Sequence, residues 1–185
     1  MKRILSAILA VFILFSLPAC QNKKPDNSDK TIHYFLGSEP LTLDPQAASD
    51  SAALTAIGAI YEGLARLDSS GAAIPGVAES WSASGGNTVF TFTLRSDAKW
   101  SDDAGTPVTA QDFVFGFRRA LSPSTHSALC RPMFCIKNAE KVNSGELPPA
   151  QLGVTARDDH TLVVELNYSY ENFPALTATA PFMPC

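Results

Sequence analysis

Four cysteines and three histidines are the side chains of this sequence most able to do chemistry on their own. Cys130 and Cys135 stand five residues apart, Cys185 is the last residue, and Cys20 comes directly after an apolar run. Outside the cytosol, Cys130 and Cys135 can pair as a small disulfide loop, leaving Cys185 odd. Free half-buried thiols are the equal alternative. Their CxxxxC spacing is poor for a zinc site, and no metal ligand set is expected. His33, His126 and His160 fall on separate segments. Asp159 and His160 adjoin at a turn, where such a pair serves the surface more often than it serves as a general base. Asp102 and Asp103 could form a paired carboxylate site, but SDDAGTP (101–107) is a run in which aspartate normally closes the turn. Trp81 and Trp100 could stack a ring or pack the core beside a strand. HExxH, GxSxG, Walker and GxGxxG patterns are all missing. The expectation is therefore no catalytic set, no cofactor and no enzyme.

Cys20 differs in its surroundings. MKR precedes ILSAILAVFILFSL, a charged start before a short apolar run, and Ala19 stands before the cysteine. This describes an export signal over residues 1–19. The run is shorter than the ~20 residues that span a bilayer comfortably; an uncut anchor is the alternative. LPAC (17–20) resembles the lipobox of bacterial lipoproteins, with Leu17, Ala19 and Cys20 in place and Pro18 a less usual occupant. The resemblance implies cleavage before Cys20 and acylation of the chain there, since two or more acyl chains hold stably where one does not. The polar stretch 20–31 reads as a flexible tether.

Of 14 basic residues, Lys2 and Arg3 leave with the signal, so 12 face 18 acidic ones, a net charge of −6. Such a balance argues against nucleic acid as a partner, because phosphates require a basic face. Hydrophobic residues make up 45% of the sequence, enough for a packed domain after the signal is gone.

The pattern of elements reads as mixed α/β. TIHYFLG (31–37) predicts a strand, and SEPLTLDP (38–45) an extended segment. In 51–68, Leu54, Ile57, Tyr61 and Leu64 form one stripe, which predicts a helix. TVFTFTLR (88–95) alternates cleanly and predicts a strand with Phe90, Phe92 and Leu94 inward. TAQDFVFGFRRAL (109–121) predicts a helix opened by Thr109 and Asp112 as a near capping box, with Phe113, Phe117, Ala120 and Leu121 inward. Phe113, Phe115 and Phe117 cannot all share a face, so one is expected outside. A helix over about 127–142, a hairpin over 153–166 joined at Asp158 and Asp159, and a short helix over 171–178 complete the order.

Six segments then stand in one sequence: LDP (43–45), IYEGL (60–64), PGVAESW (75–81), FTLRSDAKWSD (92–102), PVTAQDFVFGFRRAL (107–121), and LGV with DDHTLVVEL (152–166). Together they resemble the extracellular solute-binding proteins, family 5, of ABC importers, and within it the oligopeptide branch. The resemblance implies a two-lobed α/β protein of the periplasmic-binding type whose lobes close on a ligand. It implies that only the N-terminal third is present, with 32–61 beginning the first lobe and 62–185 forming most of an extra α/β domain attached to it. WSDDAGTPVTA carries two residues more than the family pattern, which lengthens a loop. Implied partners are a peptide ligand, the membrane permease subunits and, through Cys20, the membrane itself, with the protein a monomer outside the cytoplasm. Ser49, Asp50 and Ser51 match the segment that offers its main chain to a peptide as a strand partner. Their other reading is a polar helix start with Ser51 as cap. A tyrosine that such binders place after the 109–121 helix corresponds to Leu129. The function expected is capture of peptides for import. The alternatives are a truncated, surface-displayed structural or sensing lipoprotein, and an exported hydrolase whose catalytic residues lie elsewhere. If Cys20 is the anchor, Cys20→Ala will abolish incorporation of labelled palmitate and release the protein from the membrane fraction; label retained by the variant would remove the anchor.

Overall fold

The computed structural model describes residues 33–185. The export signal, Cys20 and the tether lie outside the described residues, as does the start of the strand expected over 31–37. Of that strand, His33–Gly37 form no β structure, and Tyr34 and Phe35 are exposed. Among the described residues no partner strand pairs with them. Leu36–Cys185 is one compact unit.

The centre of this unit is a four-stranded antiparallel sheet in the order β3 (Ala78–Ser84), β4 (Val89–Leu94), β6 (Thr161–Glu165), β5 (Val154–Asp158). The alternation of 88–95 sets its inner face. Phe90, Phe92 and Leu94 are buried, and Phe90 and Phe92 stand opposite Val164 and Leu162. The hairpin of 153–166 forms, but it turns at Asp159–His160, one residue beyond the expected Asp158–Asp159, because Asp158 still pairs with Thr161 in the ladder. Across this face lies the long helix Ala110–Ala120, hereafter the crossing helix. Thr109 and Asp112 close a capping box at its start, and Phe113, Phe117 and Ala120 are buried while Phe115 is 56% exposed. Phe173 and Phe182 complete the aromatic layer. Phe173 meets Phe90 at 5.2 Å between ring centroids, and Phe182 meets Phe117 edge-on at 5.3 Å. Each buried phenylalanine contributes roughly 1.5–3 kcal/mol relative to exposure.

Two expected helices are shorter. That of 51–68 ends at Ile60 (α1, Ser51–Ile60). Tyr61 is already extended, and 65–67 become β1 (Ala65–Leu67), paired with β2 (Ala73–Pro75). Gly63 explains the stop: a Cβ there would lie 2.1 Å from the Thr177 carbonyl oxygen, so the chain is held against a neighbour where a helix would not fit. Leu64 is still buried, as its place on the stripe predicts, but from a non-helical backbone. In place of a helix over 127–142 are a 3₁₀ turn, Arg131–Cys135, and one short α-helix, Ala139–Asn143. Pro132 near the start of the turn and Asn138 at φ 65° interrupt the α pattern. The helix of 171–178 is reduced to Phe173–Leu176.

The core of this unit should respond to the inner face of β4 far more than to the surface. Phe92→Ala is expected to cost about 3–5 kcal/mol, whereas the exposed Phe115→Ala should stay within about 0.5 kcal/mol, both read from urea unfolding midpoints.

Candidate functional site

LDPQ (43–46) is where three distant parts of the unit meet. The Asp44 carboxylate accepts from the Gln46 backbone N–H at 3.0 Å and from both terminal nitrogens of Arg119, through Nη1 at 2.7 Å and through Nη2. Arg119 Nη1 also donates to Gln46 Oε1 at 2.8 Å, and Gln46 Nε2 donates to the Met183 carbonyl at 2.9 Å. Gln46 is fully buried, and both ends of its amide are paired, which is what permits its burial. Arg119 belongs to the crossing helix and approaches this cluster because Gly116, one turn earlier, leaves room. A Cβ there would come within 2.8 Å of the Met183 oxygen. The Arg119 hydrogen bonds hold the Asp44 carboxyl below the usual carboxylate range against the opposing effect of partial burial, and Asp44 in turn raises Arg119.

This clamp fixes the chain entering α1. Asp50 is the helix cap, accepting from the Ala53 N–H at 2.9 Å through Oδ1 and from the Leu41 N–H at 3.4 Å through Oδ2. The cap expected at Ser51 is therefore one residue earlier, because only from Asp50 does a carboxylate reach the third amide of the helix. Ser49 and Ser51 are exposed. Among the described residues, no hydrogen bond engages the backbone of Ser49, so its main chain is open to a partner.

Two hollows flank α1. One of about 490 Å³ lies against Leu54, Ala128, Leu129, Pro132, Leu176 and Pro181. The other, about 590 Å³, lies at the far end of the helix against Ile60, Tyr61, Glu62, Arg66 and Leu67. Glu62 there pairs with Arg66 at 3.3 Å and Arg95 at 3.0 Å.

The remaining residues singled out from sequence are not brought together. Cys130 and Cys135 are buried and free, so the disulfide considered for them is absent. Cys135 lies in the 3₁₀ turn and its thiol donates to the Pro132 carbonyl at 3.2 Å. Burial pushes that thiol up to about 11 and raises Cys130 and Cys185 as well, so none is a thiolate at neutral pH. Asp102 accepts from the Thr106 hydroxyl and, at 2.8 Å, the Thr106 N–H, holding the longer loop in its turn. Those bonds, the hydroxyl's first, lower its pKa. Asp158 accepts from the His160 N–H at 2.8 Å, again a turn contact. Trp81 and Trp100 pack against the core.

Sequence reasoning alone does not pick out Arg119 and Gln46. The available signal is an arginine set between Gly116 and Ala120 on the buried side of an amphipathic helix, where small neighbours admit another backbone.

A model of the bacterial extracellular solute-binding proteins, family 5 (middle region), matches residues 72–185. The chain belongs to this family. The periplasmic murein peptide-binding protein MppA of Escherichia coli K12 is 43% identical over 148 residues, covering 79% of this chain and 27% of that protein. The oligopeptide-binding protein OppA of Bacillus subtilis is 34% identical over 189 residues, covering 96% of this chain and 34% of that one. Among solved structures, Haemophilus influenzae OppA in complex with RPPGFSPFR superposes with a TM-score of 0.76 at 37% identity, over 80% of this chain and 29% of that one. MppA in its unliganded open form gives 0.75 at 42% identity, over 80% and 28%. The chain thus spans about a third or less of the length of these relatives. Its fold is the mixed α/β fold of the matching part of two-lobed peptide-binding proteins.

The clamp has a pH signature. Because the Asp44 pKa is depressed by folding, its contribution is complete above the ordinary aspartate value near ~4 and is lost as pH falls through the folded value. Asp44→Asn should cost about 1–2 kcal/mol at pH 7, the low side for a charged hydrogen-bonded pair because Arg119 and Asp44 are 34% and 28% exposed. In thermal melts the gap between variant and parent should close below about pH 4.

Proposed function

We propose that this chain is the N-terminal part of a lipid-anchored solute-binding component of an ABC importer, which captures peptides and hands them to membrane permease subunits. Residues 32–61 begin its first lobe, and 62–185 make an extra domain attached to that lobe. The observation that carries the reading is the open main chain at Ser49, held beside α1 by the Asp44–Arg119 clamp, in a fold similar to that of an OppA solved with a peptide. Binding through main-chain hydrogen bonds suits a transporter that must accept many sequences, since every peptide has the same backbone. Asp50 contributes by capping the helix that presents the segment, Ser49 contributes its backbone groups, and Ser51 contributes its N–H, its carbonyl being taken by the Thr55 hydroxyl at 2.8 Å. On this reading the protein acts as a monomer and as a binder rather than an enzyme; of the paired carboxylates considered from sequence, Asp102 holds a turn, and the thiols of Cys130, Cys135 and Cys185 are protonated.

Acylated Cys20 would confine the binder to the membrane face outside the cytoplasm, and the polar tether would let it reach its permease, raising the effective concentration of one at the other. Protein expressed from the complete reading frame should bind short peptides with a Kd of about 10 μM or tighter by isothermal titration. It should show no affinity for free sugars and no hydrolysis of the peptides on prolonged incubation. Failure to bind any of a mixed-sequence peptide set would overturn the reading, and peptide cleavage would favour an exported hydrolase.

A further inference from the structure

α1 rests on a narrow base. Its buried side chains are Ala52, Ala53 and Ile57. Ala53 and Ile57 pack with Ala48, Ala180 and Met183 in a small apolar cluster, separate from the one that joins the sheet to the crossing helix. Both flanks of the small cluster are tied to one side chain, Arg119. On one flank Arg119 holds the Asp44 carboxylate, and the Asp44 carbonyl accepts from the Ala47 and Ala48 N–H groups at 3.1 and 2.9 Å, which seats Ala48 in the cluster. On the other, Arg119 holds Gln46, whose amide nitrogen reaches the carbonyl of Met183. The guanidinium does this with two nitrogens on one carboxylate and one of them shared with an amide oxygen, a geometry that a lysine cannot supply.

The frame behind Arg119 is firm, since its neighbours Phe117 and Ala120 on the crossing helix are fully buried. Only Ala47 and Ala48 lie between Gln46 and Ser49. With both of their N–H groups bound to Asp44, that stretch has no slack to absorb a shift of the clamp. We propose that Arg119 is a positioning residue for the bound peptide: through Asp44 and Gln46 it sets Ser49 and the start of α1 in register with the crossing helix, acting through them rather than on the ligand. The proposal rests on the peptide-binding reading above and adds to it what governs affinity. A protein whose segment is in register only about a tenth of the time binds about tenfold more weakly, because only that fraction is competent.

The test uses protein from the complete reading frame and two readouts: isothermal titration with Ala-Ala-Ala, Ala-Ala-Ala-Ala and Ala-Phe-Ala, and hydrogen exchange over residues 44–50 without peptide. Arg119→Met keeps the aliphatic stem and removes the guanidinium. It should weaken all three peptides about tenfold and speed exchange at Ala47 and Ala48, while the amides of β4 keep their protection. Arg119→Lys, with the charge restored but a single point of contact, should fall between. Val164→Ala opens a cavity in the sheet's own core. It should lower the melting temperature at least as far as Arg119→Met and leave each affinity within about twofold. Asp44→Asn reaches the same contact from the other side and serves if Arg119→Met does not fold. If loss of the clamp leaves affinity within about twofold of the parent, or Val164→Ala weakens binding as much, the positioning role is overturned and the peptide reading stands. If the unaltered protein binds none of the three peptides, it is the peptide reading that fails, and the positioning role with it.

Discussion

The pairing of Asp44 with Arg119 is the constraint on which the arrangement of this unit depends. It joins residues 75 positions apart in sequence, and Gln46 extends it to Met183 near the end of the chain. Energetically it is modest, since a partly exposed ion pair gains little over solvated charges. Its consequence is geometric. A bidentate guanidinium–carboxylate contact fixes orientation as well as distance. While the segments stay packed, losing Arg119 also leaves the buried Gln46 amide oxygen unpaired, a cost that adds to that of breaking the ion pair.

The clamp also determines the state of the chain between 46 and 51. It holds one end, and the Asp50 cap holds the other through Ala53 and Leu41. Between them, the Ala47 and Ala48 N–H groups donate to the Asp44 carbonyl, Ala48 is buried, and the Asp50 carbonyl accepts from the Leu54 N–H; Ser49 alone has no main-chain hydrogen bond among the described residues. Ser49, its main chain free and its neighbours fixed, is pre-organised for a partner, because the entropy of ordering it has been lost already on folding. The sheet and its aromatic layer supply the rigidity behind this, with Phe117 of the crossing helix packed on Phe182, one residue from the carbonyl that receives Gln46.

How much of this can be read from sequence divides by range. The strand Val89–Leu94, the crossing helix and the hairpin at Asp159–His160 each satisfy a rule within a few residues: alternation, a capping box, a turn between two β-branched runs. They are legible for that reason. The helix expected past Ile60 extends a correct apolar stripe that is overruled by a contact with Thr177, more than a hundred residues on, which no local pattern contains. β3 escapes a sequence reading because AESWSAS is an exposed outer strand whose polar serines carry no alternation worth the name, and β1 and β2, at three residues each, are too short to show a period. The site divides the same way. Ser49–Ser51 can be located, but whether Asp50 or Ser51 caps the helix turns on a backbone angle, and Arg119 becomes meaningful only beside Asp44.

On the proposed reading, the task of residues 49–51 explains why their residue types carry so little signal. A protein that recognises backbone groups is indifferent to its own side chains at the contact, provided they neither clash nor cap their own main chain into silence. Selectivity must then come from walls set back from the strand, where side chains of the ligand end. Residues there are free to differ between relatives, as Leu129 does where a tyrosine would be expected from the resemblance. An aliphatic residue at that place removes a hydroxyl that could have bonded a polar ligand group and leaves an apolar wall with one cation, Arg131.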